Sequence, residues 1–136
     1  MLQAYSSNLT VAETTAFPFN NAIVDKGRAE VLAAPASIQL NQRGVYYVQV
    51  DGYATGATAG ADTVQLYVNG VAQPQALSEF TLVTTSATNF NFNCLLQVAN
   101  NNCPCNCIAS PTILQVMNGD IALTDSHINI VVTKLC

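Results

Sequence analysis

Apolar and polar residues alternate with a period of two through most of the chain. The clearest run places Phe90, Phe92, Cys94, Leu96 and Val98 on one side, with Asn91, Asn93 and Gln97 between them. Successive strand side chains point to opposite faces, so this run writes one buried face and one mostly polar face. Gly44–Tyr53 (GVYYVQVDGY) is rich in β-branched and aromatic residues, which pack well on a pleated surface. Val64, Leu66 and Val68 alternate with Gln65 and Tyr67, and Asn69-Gly70 follows. An Asn-Gly pair supplies the positive φ angles of a tight type I′ hairpin. Further strands are predicted over Ala36–Leu40, Phe80–Thr85, Ile113–Met117 and His127–Leu135, with a small-residue loop at Gly56–Gly60 and a second turn at Asn118-Gly119. No segment requires a helix. Some eight to ten short strands at this spacing predict an all-β, antiparallel jelly-roll sandwich.

Two strands depart from the rule of one apolar face. Gly44–Tyr53 turns Tyr46, Val48 and Val50 to one side but Val45 and Tyr47 to the other. The last strand turns Ile128, Ile130 and Val132 to one side, Val131 and Leu135 to the other. A sheet that is apolar on both faces touches something besides its partner sheet. Composition points the same way: half the residues are hydrophobic and only 9% are charged, well under the roughly 25% of an ordinary soluble domain. So much neutral surface is expected to meet other protein.

The 136 residues fit a single domain, with residues 1–27 as an N-terminal anchoring arm or a first strand. Deleting a free arm of residues 1–20 would leave the jelly roll folded. Net charge is −4, and Lys26, Arg28, Arg43 and Lys134 are the only Lys or Arg residues, too scattered for a basic patch. Nucleic acid is therefore not an expected partner. No run of 18 apolar residues marks a membrane-spanning helix, and the first residues lack the basic and apolar regions of a secretory signal.

Candidate chemistry centres on five cysteines: Cys94, Cys103, Cys105, Cys107 and Cys136. Cys94 falls on the apolar side of its strand and reads as a small core residue. Cys103-Pro104-Cys105-Asn106-Cys107 lacks the second pair or the histidines that close a structural zinc tetrahedron. A metal held by Cys103, Cys105 or Cys107 is open only if a threefold axis brings sulfurs from three chains together. Disulfides are the stronger reading, with Cys103, Cys105, Cys107 and Cys136 as candidates. Cysteines one residue apart fit a mutual bridge poorly, so one of the cluster is expected to pair with Cys136 or with a neighbouring subunit. His127 follows Asp125 by two residues, but no G-x-S-x-G turn accompanies them. Asp51, Asp62, Asp120 and Asp125 read as solvated carboxylates at strand ends. Asp120 and Asp125 have the oxygen ligands calcium takes, without an EF-hand pattern. No phosphate-binding glycine motif occurs. The expectation is a protein that is not an enzyme and carries no cofactor.

The runs LNQRGVYYVQV, LYVNGVAQPQ, LQVMNGDIAL and HINIVVTKL, in that order, resemble the tumour-necrosis-factor-like jelly roll shared with complement-type globular heads. Nearest among these is the head domain of spore-surface collagen-like glycoproteins. The resemblance covers about Ile38 to Leu135. It implies a ten-strand, trimeric jelly roll whose sheet of first, third and last strands lies at a threefold axis, with Val45, Tyr47, Val131 and Leu135 at the trimer interface. Two features depart from the family: no collagen-like stalk precedes the head, and the loop Asn100–Pro111 carries the cysteine cluster. These readings converge on a non-enzymatic structural protein on a virion surface, a trimeric capsid decoration or head-fibre protein of a bacteriophage whose partners are its own copies and capsid or other particle proteins. The alternative is a trimeric binding head of a bacterial spore or surface protein, or a phage receptor-binding tip.

The cysteine reading is checked by intact-mass spectrometry with and without reductant, combined with thiol titration after denaturation. Protein from an oxidising medium is expected to show fewer than the five thiols of the sequence. Five free thiols and no bound metal would exclude crosslink and metal alike.

Overall fold

The alternation resolves into ten strands in a computed structural model that describes residues 1–25, 29–33, 36–98 and 107–136. In chain order they are β1 (Leu2–Ser6), β2 (Asn21–Asp25), β3 (Glu30–Ala33), β4 (Ser37–Gln42), β5 (Gly44–Gly56), β6 (Gly60–Val68), β7 (Val71–Leu82), β8 (Thr88–Val98), β9 (Cys107–Asn118) and β10 (Leu123–Lys134). Among the described residues there is no helix. The strands form two five-stranded sheets, β2-β1-β10-β5-β8 and β3-β4-β9-β6-β7. Every pairing is antiparallel, and most neighbours are not consecutive in sequence, so the chain crosses repeatedly between the sheets. That is the jelly-roll arrangement expected from the spacing of the strands.

The predicted inward residues meet between the sheets. Tyr46, Val48 and Val50 of β5 and Ile128, Ile130 and Val132 of β10 are fully buried, facing Ile38, Leu40, Val64, Leu66, Leu114 and Val116. Burying a side chain of this size stabilises by about 1.5–3 kcal/mol, and the effect is shared along every strand of both sheets. Tyr46 also ties the sheets together: its hydroxyl donates to the Gln42 carbonyl at 2.6 Å. Burial pushes its pKa up to about 12, with the Glu30 charge adding to the shift.

Residues 1–25 are woven into the sandwich. β1 lies inside the first sheet between β2 and β10, and Leu2, Ala4, Leu9, Val11, Phe17 and Phe19 are all buried. The connection from β1 to β2 crosses one end of the molecule. Leu9 N–H donates to Ser126 O at 3.0 Å and Phe17 N–H to Val116 O at 2.8 Å, so it touches both sheets. The Phe17 ring packs on Phe90 at 5.9 Å, and Phe90 on Phe80 at 5.5 Å. Of the two readings of this segment, an arm or a first strand, Leu2–Ser6 takes the second, and removing residues 1–20 would take β1 and the buried Phe17 and Phe19 out of the sandwich.

Several strands run beyond their sequence-predicted bounds, β7 and β9 furthest. β7 begins at Val71, directly after the Asn69-Gly70 turn, whose φ angles of 50° and 79° are those of the expected hairpin. Pro74 interrupts its pattern but is tolerated, because β7 is an edge strand and bulges there: Gln65 pairs with Leu77 while Tyr67 pairs with Ala72. The side chain of Gln65 fills the gap by donating to Gln73 O at 3.1 Å. β9 begins at Cys107, inside the segment read as the loop Asn100–Pro111. Pro111 sits where the register with β4 shifts between Leu40 and Gln42, so its missing N–H breaks no regular ladder.

Removing residues 1–20 is accordingly expected to abolish cooperative unfolding in circular-dichroism melts. As a milder probe, Phe17→Ala should destabilise the chain by about 3–5 kcal/mol, the usual cost of truncating a buried ring.

Candidate functional site

The outward face of the first sheet divides into three bands. At one end, Tyr47 lies opposite Leu95 of β8 and Thr133 of β10, and Val45 lies opposite Gln97. Leu135 N–H donates to Val45 O at 2.7 Å, which places Leu135 beside Val45. Val45 and Tyr47 are half-buried, while Leu95 and Leu135 are 60% and 56% exposed. The tertiary structure thus joins three of the four residues proposed for a subunit contact. Val131 shares the face but lies nearer its middle, opposite Gln3 and Gln49. Leu95 was missed by sequence reasoning; its only signal was one leucine in a row of outward asparagines and glutamines.

The middle band is polar. Gln3 Nε2 donates to Asn129 Oδ1 at 3.0 Å, and Asn129 Nδ2 donates to Asp51 Oδ1 at 3.1 Å. Asn91 lies opposite Asp51 and Asn93 opposite Gln49, extending the row of amides across β8. Asp51 is therefore in mid-strand, not at a strand end. The far end is aromatic. His127 stacks on Tyr53 at 5.3 Å and leans on Tyr5 at 6.3 Å, with its Nδ1 2.9 Å from Ser7 Oγ. A serine is activated by an imidazole whose other nitrogen is held by an acid. Among the described residues the His127 imidazole has no hydrogen-bond partner besides Ser7, so the pair reads as the rim of an aromatic cluster. As a whole the face offers a neutral apolar patch bordered by directional amides, which is the chemistry of a protein contact.

The second notable place is the turn from β9 to β10. Asp62, expected to be solvated, points inward from β6 and is only 5% exposed. The sequence pattern missed this because the residue occupies an inward position of the Asp62-Val64-Leu66 series. Burial raises the pKa of its carboxyl above the ordinary value; backbone N–H groups of Thr63, Ile121 and Asp120 partly favour the charged form, and the Asp120 charge opposes it. Neither carboxylate oxygen has a well-formed hydrogen bond among the described residues. An open depression of about 320 Å³ adjoins it, lined also by Thr63, Glu79 and Asp120.

The cysteines divide. Cys94 is buried with its thiol pushed up by desolvation, and Cys136 is exposed; both are free. Cys103 and Cys105 lie outside the described residues. Cys107 opens β9 opposite Gln42, and the Cys136 carbonyl accepts from Val45 N–H at 3.0 Å. Since Gln42 and Val45 flank the β4–β5 crossing, Cys107 and Cys136 belong to the same end of the sandwich. Among the described residues no group of three or more His, Cys, Asp or Glu could hold a metal ion. Nor does any helix among them cross a membrane.

No protein-family model matches the chain, and no curated protein does. Solved structures do. The globular domain of zebrafish complement 1qA protein superposes with a TM-score of 0.69 at 9% identity, covering 99% of this chain and 96% of that one. Murine APRIL at pH 5.0 gives 0.67 at 8% identity, covering 98% of each chain. PRD1 vertex protein P5 gives 0.63 at 14% identity, covering 99% of this chain and 96% of that one. The fold is therefore the tumour-necrosis-factor-like jelly roll of complement-type heads, as the sequence runs implied.

The two described free thiols should separate chemically. In fully reduced protein, a thiol reagent followed by peptide mass spectrometry is expected to label Cys136 rapidly and Cys94 only after denaturation. Rapid labelling of Cys94 in the folded chain would contradict its place in the core.

Proposed function

We propose that the chain is a non-enzymatic structural subunit of a virion surface, a capsid decoration or head-fibre protein that assembles as a homotrimer through the outward face of the first sheet. One observation carries the reading: Val45, Tyr47, Leu95 and Leu135 form a contiguous apolar patch on a sheet that already buries its other face. A free monomer gains nothing from solvating such a patch, whereas association removes it from water at about 25 cal/mol per Å². The amides of Gln3, Asn129 and Asn91 beside it set the register of the contact by hydrogen bonds. Val131 takes part near the centre of the same face.

The likeness to the PRD1 vertex protein P5 supports a place in a particle shell, and the low charge of the chain suits a subunit covered by neighbours. Capsid or other particle proteins are the outer partners in this reading. A bridge between Cys136 and a cluster cysteine, in the same subunit or the next, would reinforce the end of the sandwich that carries the apolar patch.

Light scattering at micromolar concentration is expected to return about three times the 14.4 kDa chain mass, and a monomer mass would overturn the proposal. Tyr47→Asp should dissociate the assembly, because an unpaired charge buried in a contact costs about 3–5 kcal/mol. An antibody to the chain is expected to label the outside of purified particles; intact particles that stay unlabelled would refute the virion role while leaving the trimer standing.

A further inference from the structure

Three buried side-chain atoms lack a hydrogen-bond partner among the described residues: Asp62 Oδ1, Asp62 Oδ2 and Asn118 Oδ1. All three are acceptors, and both residues flank the turn from β9 to β10. Asn118 ends β9, and Asp62 lies two residues along β6 from Val64, the partner of Asn118. The orientation of the Asn118 amide is settled by its other end, because Nδ2 donates to Ala12 O at 3.2 Å and to Ile121 O at 2.8 Å. Exchanging the amide oxygen and nitrogen would set an oxygen against two carbonyls, so Oδ1 remains the unpaired atom.

Buried polar atoms are nearly always satisfied, and a buried carboxylate with no partner is among the costliest exceptions. A cluster of acceptors with no stranded donor calls for positive charge or for protons. The side chains lining the depression supply no positive charge, and the donors facing Asp62 are the backbone N–H groups of Thr63, Ile121 and Asp120. Asp120, next along the turn, adds a second carboxylate, and Glu79 adds a third across the depression whose lining contains no Lys, Arg or His. Gly119 keeps the backbone close: a Cβ there would lie 2.3 Å from Asp62 Oδ1 and 2.7 Å from Thr63 Oγ1. A second depression beside the turn is lined by Asn118, Gly119 and Asp120.

We propose that the β9–β10 turn is a calcium site in which the side-chain oxygens of Asp62, Asn118 and Asp120 bind one Ca²⁺, with water completing its shell. The unpartnered acceptors on a 5%-exposed aspartate and a 3%-exposed asparagine carry the proposal; the acidic cluster only frames them. Because no three acidic, His or Cys residues among the described ones could share an ion, the ligand set is mixed, two carboxylates and an amide. Ca²⁺ accepts such irregular oxygen sets at about 2.3–2.6 Å, whereas Mg²⁺ demands a near-ideal octahedron and sheds water reluctantly. A site with two carboxylates and several waters belongs in the weak range, about 10⁻⁴–10⁻³ M. Its role is to hold together the turn, the N-terminal crossing at Ala12–Thr15 and the start of β6. That end of the sandwich is opposite the patch of Val45 and Leu135, so the site is independent of the proposed subunit contact.

The test is calorimetric titration of the full chain with calcium chloride, paired with thermal melts in chelator and in Ca²⁺. Wild-type protein is expected to bind about one Ca²⁺ and to gain roughly 3–8 °C in Tm for each tenfold rise in Ca²⁺ above saturation. Asp120→Asn, at an exposed position, should keep the fold and weaken Ca²⁺ binding at least about tenfold, since it deletes one of two charged ligands. Asp62→Asn should abolish the Ca²⁺ response and melt higher than wild type in chelator, because it removes a buried charge. A Tm indifferent to about 10 mM Ca²⁺ would overturn the proposal at the affinities weak sites show, leaving water as the partner of the three oxygens. A shift that Mg²⁺ reproduces, or that both variants retain, would equally overturn it, as charge screening.

Discussion

Strand β10 is the element on which the sandwich depends. It pairs with β5 from Leu123 to Lys134 and with β1 along Leu2 to Ser6, holding the N-terminal strand and the long central strand in one sheet. Its register decides which residues are core. With Ile130 opposite both Val50 and Ala4, the residues Ile128, Ile130 and Val132 all face inward. A slip of one residue would send these three to solvent and bring His127, Asn129 and Val131 into the core, at a cost of many kcal/mol. The outward face is the complement of the same decision. Asn129, Val131 and Thr133 are where they are because their neighbours must be buried.

The few charges of the chain make the treatment of each buried one instructive. Glu30 is 2% exposed, yet its carboxylate accepts from Lys134 N–H at 2.7 Å and faces the Met1 ammonium at 3.1 Å. Burial and pairing are balanced there, and the carboxylate draws β3 of one sheet toward β10 of the other. Asp62 is buried to the same degree with no such partner among the described residues. Two carboxylates at opposite ends of one sandwich thus differ in a way no hydrophobic pattern records.

Similarity to proteins as distant as a complement head and a vertex protein, at 8–15% identity, follows from how the fold is specified. A two-sheet sandwich asks for alternating apolar positions, turn residues at intervals and a filled core, and very many sequences meet those terms. Such likeness therefore carries architecture and leaves function to the particular side chains of the outer faces and turns.

The alternation along β5, β6, β8 and β10 by itself determined the fold class, most of the core and the two-sided apolar strands, because the side-chain period of a strand is a local property. The Asn69-Gly70 hairpin was equally local, its positive φ angles being written in the residue types. What tertiary structure alone decided was every feature that joins residues distant in sequence. Leu95 became part of an apolar patch only when β8 was laid beside β5. Pro111 became acceptable within β9 only because a register shift fell opposite it. Leu2 and Ala4 became core because β1 was laid along the edge of β10, and Phe17 and Phe19 because the connection that follows it crosses the end of the sandwich. Asp62 was unreadable as a buried charge, since its environment comes from a turn more than fifty residues away; burial is a property of the surroundings, and those are supplied by the fold.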